Sequence, residues 1–174
     1  MAHMTYGFAT PLPKVLAKVA ANRGDVARGS YRVSIELGDR LSRPELADLY
    51  DRARREPKGL ARLLKARDGY ADNVVHELDM RRGIGAPAVT PFPDAAMRAE
   101  LDALCQVCSR LFAPARTAEG LALRATDVDW RHGAGPEVAG AAEDLVLALA
   151  GRRVGLAGLA GDGVGELARR LTGA

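Results

Sequence analysis

The sequence predicts a mostly α-helical protein: a helical bundle over residues 5–115, then a small α+β part over residues 116–174 containing a β-hairpin. Three observations lead there. Apolar residues recur every three or four positions through the first two-thirds of the chain, which is the period of a helix face. Start and stop signals fall at the ends of those stretches, as in Ser42-Arg-Pro44-Glu45 and Asp94. After Pro114 the period changes to partial alternation, which suits a half-buried strand. With 174 residues the chain is long enough to bury a core without disulfides or metal staples.

The elements follow in order. Leu12, Val15, Leu16 and Val19 mark a first helix, which Asn22-Arg-Gly24 ends; Asp25 can cap the next. Val26, Val33, Leu37 and Leu41 give a second stripe, weakened at Gly29 and Gly38 by about 1 kcal/mol each relative to Ala. Ser42 and Glu45 have capping-box spacing, and Pro44 sits where its missing N–H costs little. Leu46, Leu49, Tyr50 and Ala53 form the buried side of that third helix, which Pro57-Lys-Gly59 breaks. A short helix is expected at Leu60–Ala66, a turn at Asp68-Gly69, and a helix from about Tyr70 to Arg82 that stops at Gly83. Pro87, Pro91 and Pro93 make the next stretch a connector. Asp94 caps a long helix to about Phe112. Leu121, Leu123, Ala125 and Val128 read as a strand, Gly133-Ala-Gly135-Pro136 as a turn, and Glu137-Val-Ala139 as a second strand pairing back on the first. An apolar helix over Ala141–Arg152 and a last short helix through Leu171, entered by Gly161-Asp-Gly163, complete the chain.

Composition narrows the function classes. Basic residues are 21 Arg and 4 Lys, the net charge is +3, and acids are interleaved with bases. A nucleic-acid binder more often carries a stripe of one sign, so no nucleic-acid partner is expected. No apolar run reaches the ~18 residues a membrane span needs, and no signal peptide is visible. A cytoplasmic protein with reduced thiols is the expectation. Met1-Ala-His3-Met4 reads as a vector-derived leader, which leaves His76 and His132 as native histidines.

Asp72 and His76 are spaced i, i+4, so on a helix both project from one face, one turn apart. That spacing lets a carboxylate and an imidazole reach one divalent ion. Asp79 lies near the same face, either as a third ligand or as the acid that orients the His76 ring. Spacing alone fits a polar cluster on the helix surface or between helices better. Arg81 and Arg82 suit the negative end of the helix dipole, and one of them can pair with Asp79. Cys105-Gln-Val-Cys108 has the spacing of a zinc or redox pair, but it stands inside an apolar helical stretch with no second such motif. Core packing is the better reading there. His132 reads as an exposed loop histidine, and Gly161-Asp-Gly163 as a turn rather than a phosphate loop.

The segment His76-Glu-Leu-Asp79-Met-Arg81-Arg82-Gly-Ile-Gly85 resembles the H-x-x-D-x-R-R-x-x-G stretch of the DinB-like, mycothiol-dependent maleylpyruvate isomerase superfamily. A second region is similar to the strand-turn-strand part of many actinobacterial members: Leu121-Ala-Leu-Arg-Ala-Thr126-Asp-Val-Asp-Trp130, then Gly135-Pro136-Glu137-Val138 and Gly140. Leu149-Ala-Gly151-Arg152 and Gly161-Asp-Gly163-Val164 continue the likeness, which spans the chain from about Gly24 onward.

This resemblance implies a DinB-like helical bundle with an added C-terminal part. It implies a divalent metal, Zn or Ni, held by one histidine of an early helix and by an acid-x-x-x-His pair on a later one. Asp72 and His76 match the later pair, with Asp in place of the commoner Glu. It further implies mycothiol as co-substrate: a metal lowers the pKa of a bound thiol, whose thiolate adds reversibly to an activated alkene of a small-molecule substrate. The departure is at the start. No native His precedes His76, so the first ligand and its helix have no counterpart here, and the expectation is an N-terminally shortened bundle that covers its apolar surface by forming a homodimer or larger assembly. The alternative is a catalytically degenerate homologue that binds a small molecule or associates with itself.

Overall fold

Residues 5–6, 9–23, 26–58, 66–85, 92–105 and 117–172 are described in the computed structural model. The architecture is mostly α with a small C-terminal α+β part, as the sequence predicts. The chain divides into two compact units, Met1–Leu64 and Lys65–Ala174, so the division falls within the stretch expected to form one bundle. Among the described residues no helix is long and apolar enough to cross a membrane.

The first unit holds α1 (Leu12–Ala21), α2 (Val26–Arg40) and α3 (Arg43–Arg55), each packed on the next in sequence. The α1–α2 contact is reinforced by Lys18 Nζ, which donates to both Glu36 carboxylate oxygens at 2.7 and 2.9 Å. The capping box at α3 is present. Both the backbone N–H and the hydroxyl of Ser42 donate to Glu45 Oε2, at 2.8 and 2.6 Å. Pro44 sits in the first turn, and the Glu56 N–H closes the other end on Arg52 O. Val33 and Ala53 are buried, while Leu16, Tyr31 and Ile35 remain exposed.

The second unit opens with α4 (Ala66–Gly83) and α5 (Asp94–Cys105). Helix α4 starts at Ala66, so the turn expected at Asp68-Gly69 is absorbed into it. A glycine in a helix costs about 1 kcal/mol. Burial of Val74, Val75 and Leu78 on the same helix outweighs that cost. The short helix expected at Leu60–Ala66 falls outside the described residues except for Ala66, which opens α4. The stretch of the Asp94 helix beyond Cys105, including Cys108, also lies outside them. Helix α5 turns Met97, Leu101 and Leu104 onto α4 and onto α6 (Ala142–Leu149). Helix α6 is buried along nearly its whole length, as an apolar helix without a polar face must be. Its first residue lacks a side-chain cap from Ala141; instead Asp127 Oδ1 accepts the Ala142 N–H at 2.8 Å.

Four short strands form the sheet: β1 (Ala122–Ala125), β2 (Arg131–His132), β3 (Glu137–Gly140) and β4 (Leu159–Ala160), in the order β2-β1-β3-β4. The hairpin expected here exists, but its partner is different. Strand β1 pairs antiparallel with β2 through Leu123–His132 and Arg124–Arg131. Strand β3 lies on the other side of β1 and parallel to it, with Leu123 opposite Val138. The connection from β2 to β3 must therefore cross the start of β1. Gly133 (φ 75°) and Gly135 (φ 133°) make the crossing. A Cβ at Gly133 would overlap Leu121 O and one at Gly135 would overlap Gly120 O, so only glycine permits this approach. The 3₁₀ segment Arg153–Gly158 packs on α6 and leads into β4, and α7 (Val164–Thr172) closes the unit. Arg170 anchors α7 by donating to the carbonyls of Thr117 and Glu119.

Candidate functional site

The candidate site lies along the second half of α4. Val74, Val75 and Leu78 face the core, and the side chains between them emerge at its edge. His76 and Asp79 stand there half-buried, with side-chain exposures of 28% and 32%. His76 Nδ1 lies 3.6 Å from Asp79 Oδ2, which is charge-pair range and beyond a direct hydrogen bond. Asp72 precedes His76 by one helical turn within α4; its side chain lies outside the described residues.

Asp79 has a further partner that the sequence did not suggest. Arg152 Nη2 donates to Asp79 Oδ2 at 3.0 Å, and its Nε reaches Oδ2 and Oδ1 at 3.2 and 3.3 Å. The local cause is the end of α6. Gly151 takes φ 87°, its N–H donates to Ala148 O, and the Arg152 N–H donates to Leu147 O at 2.8 Å. This is a Schellman stop, in which a left-handed glycine reverses the chain just past the helix. It delivers Arg152 to Asp79, and Arg152 Nη1 also donates to Ala150 O.

Neither Arg81 nor Arg82 takes the expected place beside Asp79. Arg81 donates to Glu77 one turn back, lies 3.8 Å from Glu143 on α6, and sits over the Phe92 ring at 4.8 Å. Arg82 donates to Asp144 Oδ1 at 2.5 Å. Three residues of the H-x-x-D-x-R-R stretch therefore tie the end of α4 to α6 and its C-terminal turn.

Among the described residues no group of three or more His, Cys, Asp or Glu side chains is placed to hold a metal ion. The site brings together His76 and Asp79, and it commits Asp79 to a guanidinium. One imidazole and one neutralised carboxylate fall short of the three or four donors that zinc takes from a protein. On these residues alone, a resident divalent ion does not fit.

Two further groups complete the picture. Cys105 packs partly against the core, where burial, with Asp102 adding to it, pushes the thiol up to about 12. That suits the core-packing reading and removes Cys105 from thiolate chemistry at neutral pH. Glu100, on the core face of α5 between Met97 and Leu104, is 1% exposed. Its position in the apolar stripe was visible in the sequence, where an acid stands at i+3 from Met97; only packing shows that it is enclosed. His132 is exposed on β2 and stacks on Trp130, with ring centroids 6.0 Å apart; the Trp130 indole N–H donates to Asp102 Oδ1 at 2.8 Å.

No family model matches the chain, and neither does any curated protein or solved structure.

Proposed function

We propose that the chain is a DinB-like protein of the mycothiol-dependent maleylpyruvate isomerase type, a cytosolic thiol transferase or isomerase acting on a small-molecule substrate. In this reading Asp72 and His76 are one arm of a divalent-metal site, and Asp79 is the acid that orients the His76 ring. The single observation that carries it is the placement of Asp79: Arg152 holds its carboxylate beside the His76 imidazole at 3.6 Å. An acid fixed behind a histidine is the usual support of a metal-binding imidazole. The remaining donors must come from beyond the described residues, and a second copy of the chain is the source this reading names.

The same geometry supports a second reading, a homologue without catalytic activity that associates with itself. The exposed Leu16, Tyr31 and Ile35 of the first unit favour it.

Metal analysis and calorimetric titration of the purified chain with Zn or Ni decide between them, read together with its mass in solution. The first reading expects stoichiometric metal on an assembled species, lost in His76→Ala and retained in His132→Ala. Binding that is absent, or equal in the two variants, leaves only the second.

A further inference from the structure

Helix α2 keeps one face outside the packing of the first unit. Its inner side carries the buried Val33, and Glu36 reaches across to Lys18 on α1. On the outer side Tyr31 is 67% exposed and Ile35, one helical turn on, is 47% exposed. Gly38 is the next position of that face. It has open space where a Cβ would stand and does not hold a left-handed backbone, so nothing among the described residues calls for glycine there. In mid-helix a glycine is less stable than an alanine, and what it offers in return is room for a close neighbour.

Two opposite charges flank the same face. Arg32 and Asp39 each stand one residue past Tyr31 and Gly38, and both are exposed. A separation of seven residues returns to nearly the same side of a helix, about 10 Å further along its axis. Glu36 lies one turn from Arg32, but both of its carboxylate oxygens accept from Lys18, and Arg32 acts on it only through space.

Turned end for end, this face is complementary to itself. A two-fold axis crossing α2 at Ile35 sets Ile35 against the partner's Ile35 and Tyr31 over the partner's Gly38. It also sets Arg32 against the partner's Asp39, and the last two contacts each occur twice. We propose that two copies of the chain pair antiparallel through this face of α2. Such an interface needs one self-complementary patch on both subunits. Tyrosine is a frequent anchor of interfaces, the glycine lets the two helices approach, and the charge pairs fix direction and register. The inference rests on the self-association reading above and names the surface that reading leaves open.

The test is sedimentation equilibrium of the full chain and its variants, with circular dichroism to check that each is folded. The parent chain is expected to show a concentration-dependent monomer–dimer equilibrium. Arg32→Asp and Asp39→Arg each create two like-charge contacts across the axis and should weaken the dimer by at least about tenfold. Mixed one to one, these two variants should associate about as tightly as the parent, because one carries two acids where the other carries two arginines. Gly38→Gln should weaken the dimer by about tenfold with no loss of helix, since glutamine is the better helix former. Lys58→Asp, the same kind of charge change outside α2, should leave the dimer unchanged. A parent chain that stays monomeric overturns this proposal together with the self-association reading. A dimer that Arg32→Asp, Asp39→Arg and Gly38→Gln weaken no more than Lys58→Asp does overturns the proposal and leaves that reading standing. So does a mixture of the two charge variants that associates no better than either alone.

Discussion

Asp79 on α4 and Arg152 just past α6 stand 73 residues apart in sequence and meet through three hydrogen bonds of 3.0 to 3.3 Å. With Arg82–Asp144 at 2.5 Å and Arg81–Glu143 at 3.8 Å, this contact fastens the end of one helix to both ends of another. The stretch from His76 to Arg82 is therefore a docking segment as well as a candidate ligand segment. The arginine that anchors Asp79 also leaves its carboxylate 3.6 Å from His76 Nδ1.

A double-mutant cycle measures that contact. Both side chains are about one-third exposed, at 32% and 33%, so solvent screening reduces the pair to about 0.5–1 kcal/mol. Asp79→Asn and Arg152→Gln should each lower the urea midpoint, and the double variant should lose less than the sum of the two. Additive losses would mean that the pair contributes nothing as a pair.

Gly120, which precedes β1, and Gly135 of the β2–β3 crossing offer a sharper contrast. Gly120 has φ 69° and open space around its Cα, so Gly120→Ala meets only the left-handed penalty of about 1–2 kcal/mol. At Gly135 the added Cβ would meet the backbone oxygen of Gly120, which cannot swing aside as a side chain can. Gly135→Ala should therefore destabilise the fold by about 3 kcal/mol or more, the cost of the conformation plus overpacking. Urea denaturation of both variants checks the ranking, and equal losses would argue against the crossing.

Much of this fold was legible because its causes are local. The Ser42–Glu45 capping box and the apolar run of α6 each act within a few residues, so the sequence carries them directly. Gly133 and Gly135 were readable as a turn, but which side of β1 the next strand joins depends on where the backbone crosses. Asp68-Gly69 has turn chemistry, yet burial further along the helix overrides it. At the site, the nearness of His76 and Asp79 was legible from their spacing on one helix. Arg152 was not, because its partner is set by a helix stop far along the chain. The enclosure of Glu100 was not legible, because it depends on how α5 packs.

Cys105 gives a pH dependence with a definite sign. Its thiol rises from an ordinary 9.0 to about 12 on folding, chiefly through burial. The folded state thus keeps its proton where the unfolded state gives it up. The stabilisation is fully present below about pH 9 and is lost as pH rises through about 12. Cys105→Ser should flatten the alkaline limb of the stability curve relative to the parent protein. A disulfide-exchange reagent at pH 8 should label Cys105 at a rate set by local opening rather than by its thiolate fraction.

The last prediction concerns Asp144 and Gly158. A Cβ built at Gly158 would overlap the Asp144 carboxylate and nothing nearer, while that carboxylate accepts from Arg82 at 2.5 Å. Gly158→Ala should therefore push Asp144 away from Arg82 and cost about 1–3 kcal/mol, the usual range for overpacking. Asp144→Ala also breaks the Arg82 contact, but it clears the space that the new methyl needs. Gly158 does not hold a left-handed backbone, so in that background its replacement by alanine meets no strain. It should then be neutral, or stabilising by about 0.4–1 kcal/mol, because alanine narrows the unfolded ensemble. Thermal melts of the two single variants and the double variant complete the cycle. A Gly158→Ala penalty of the same size in both backgrounds would show that the Asp144 carboxylate is not what the glycine makes room for.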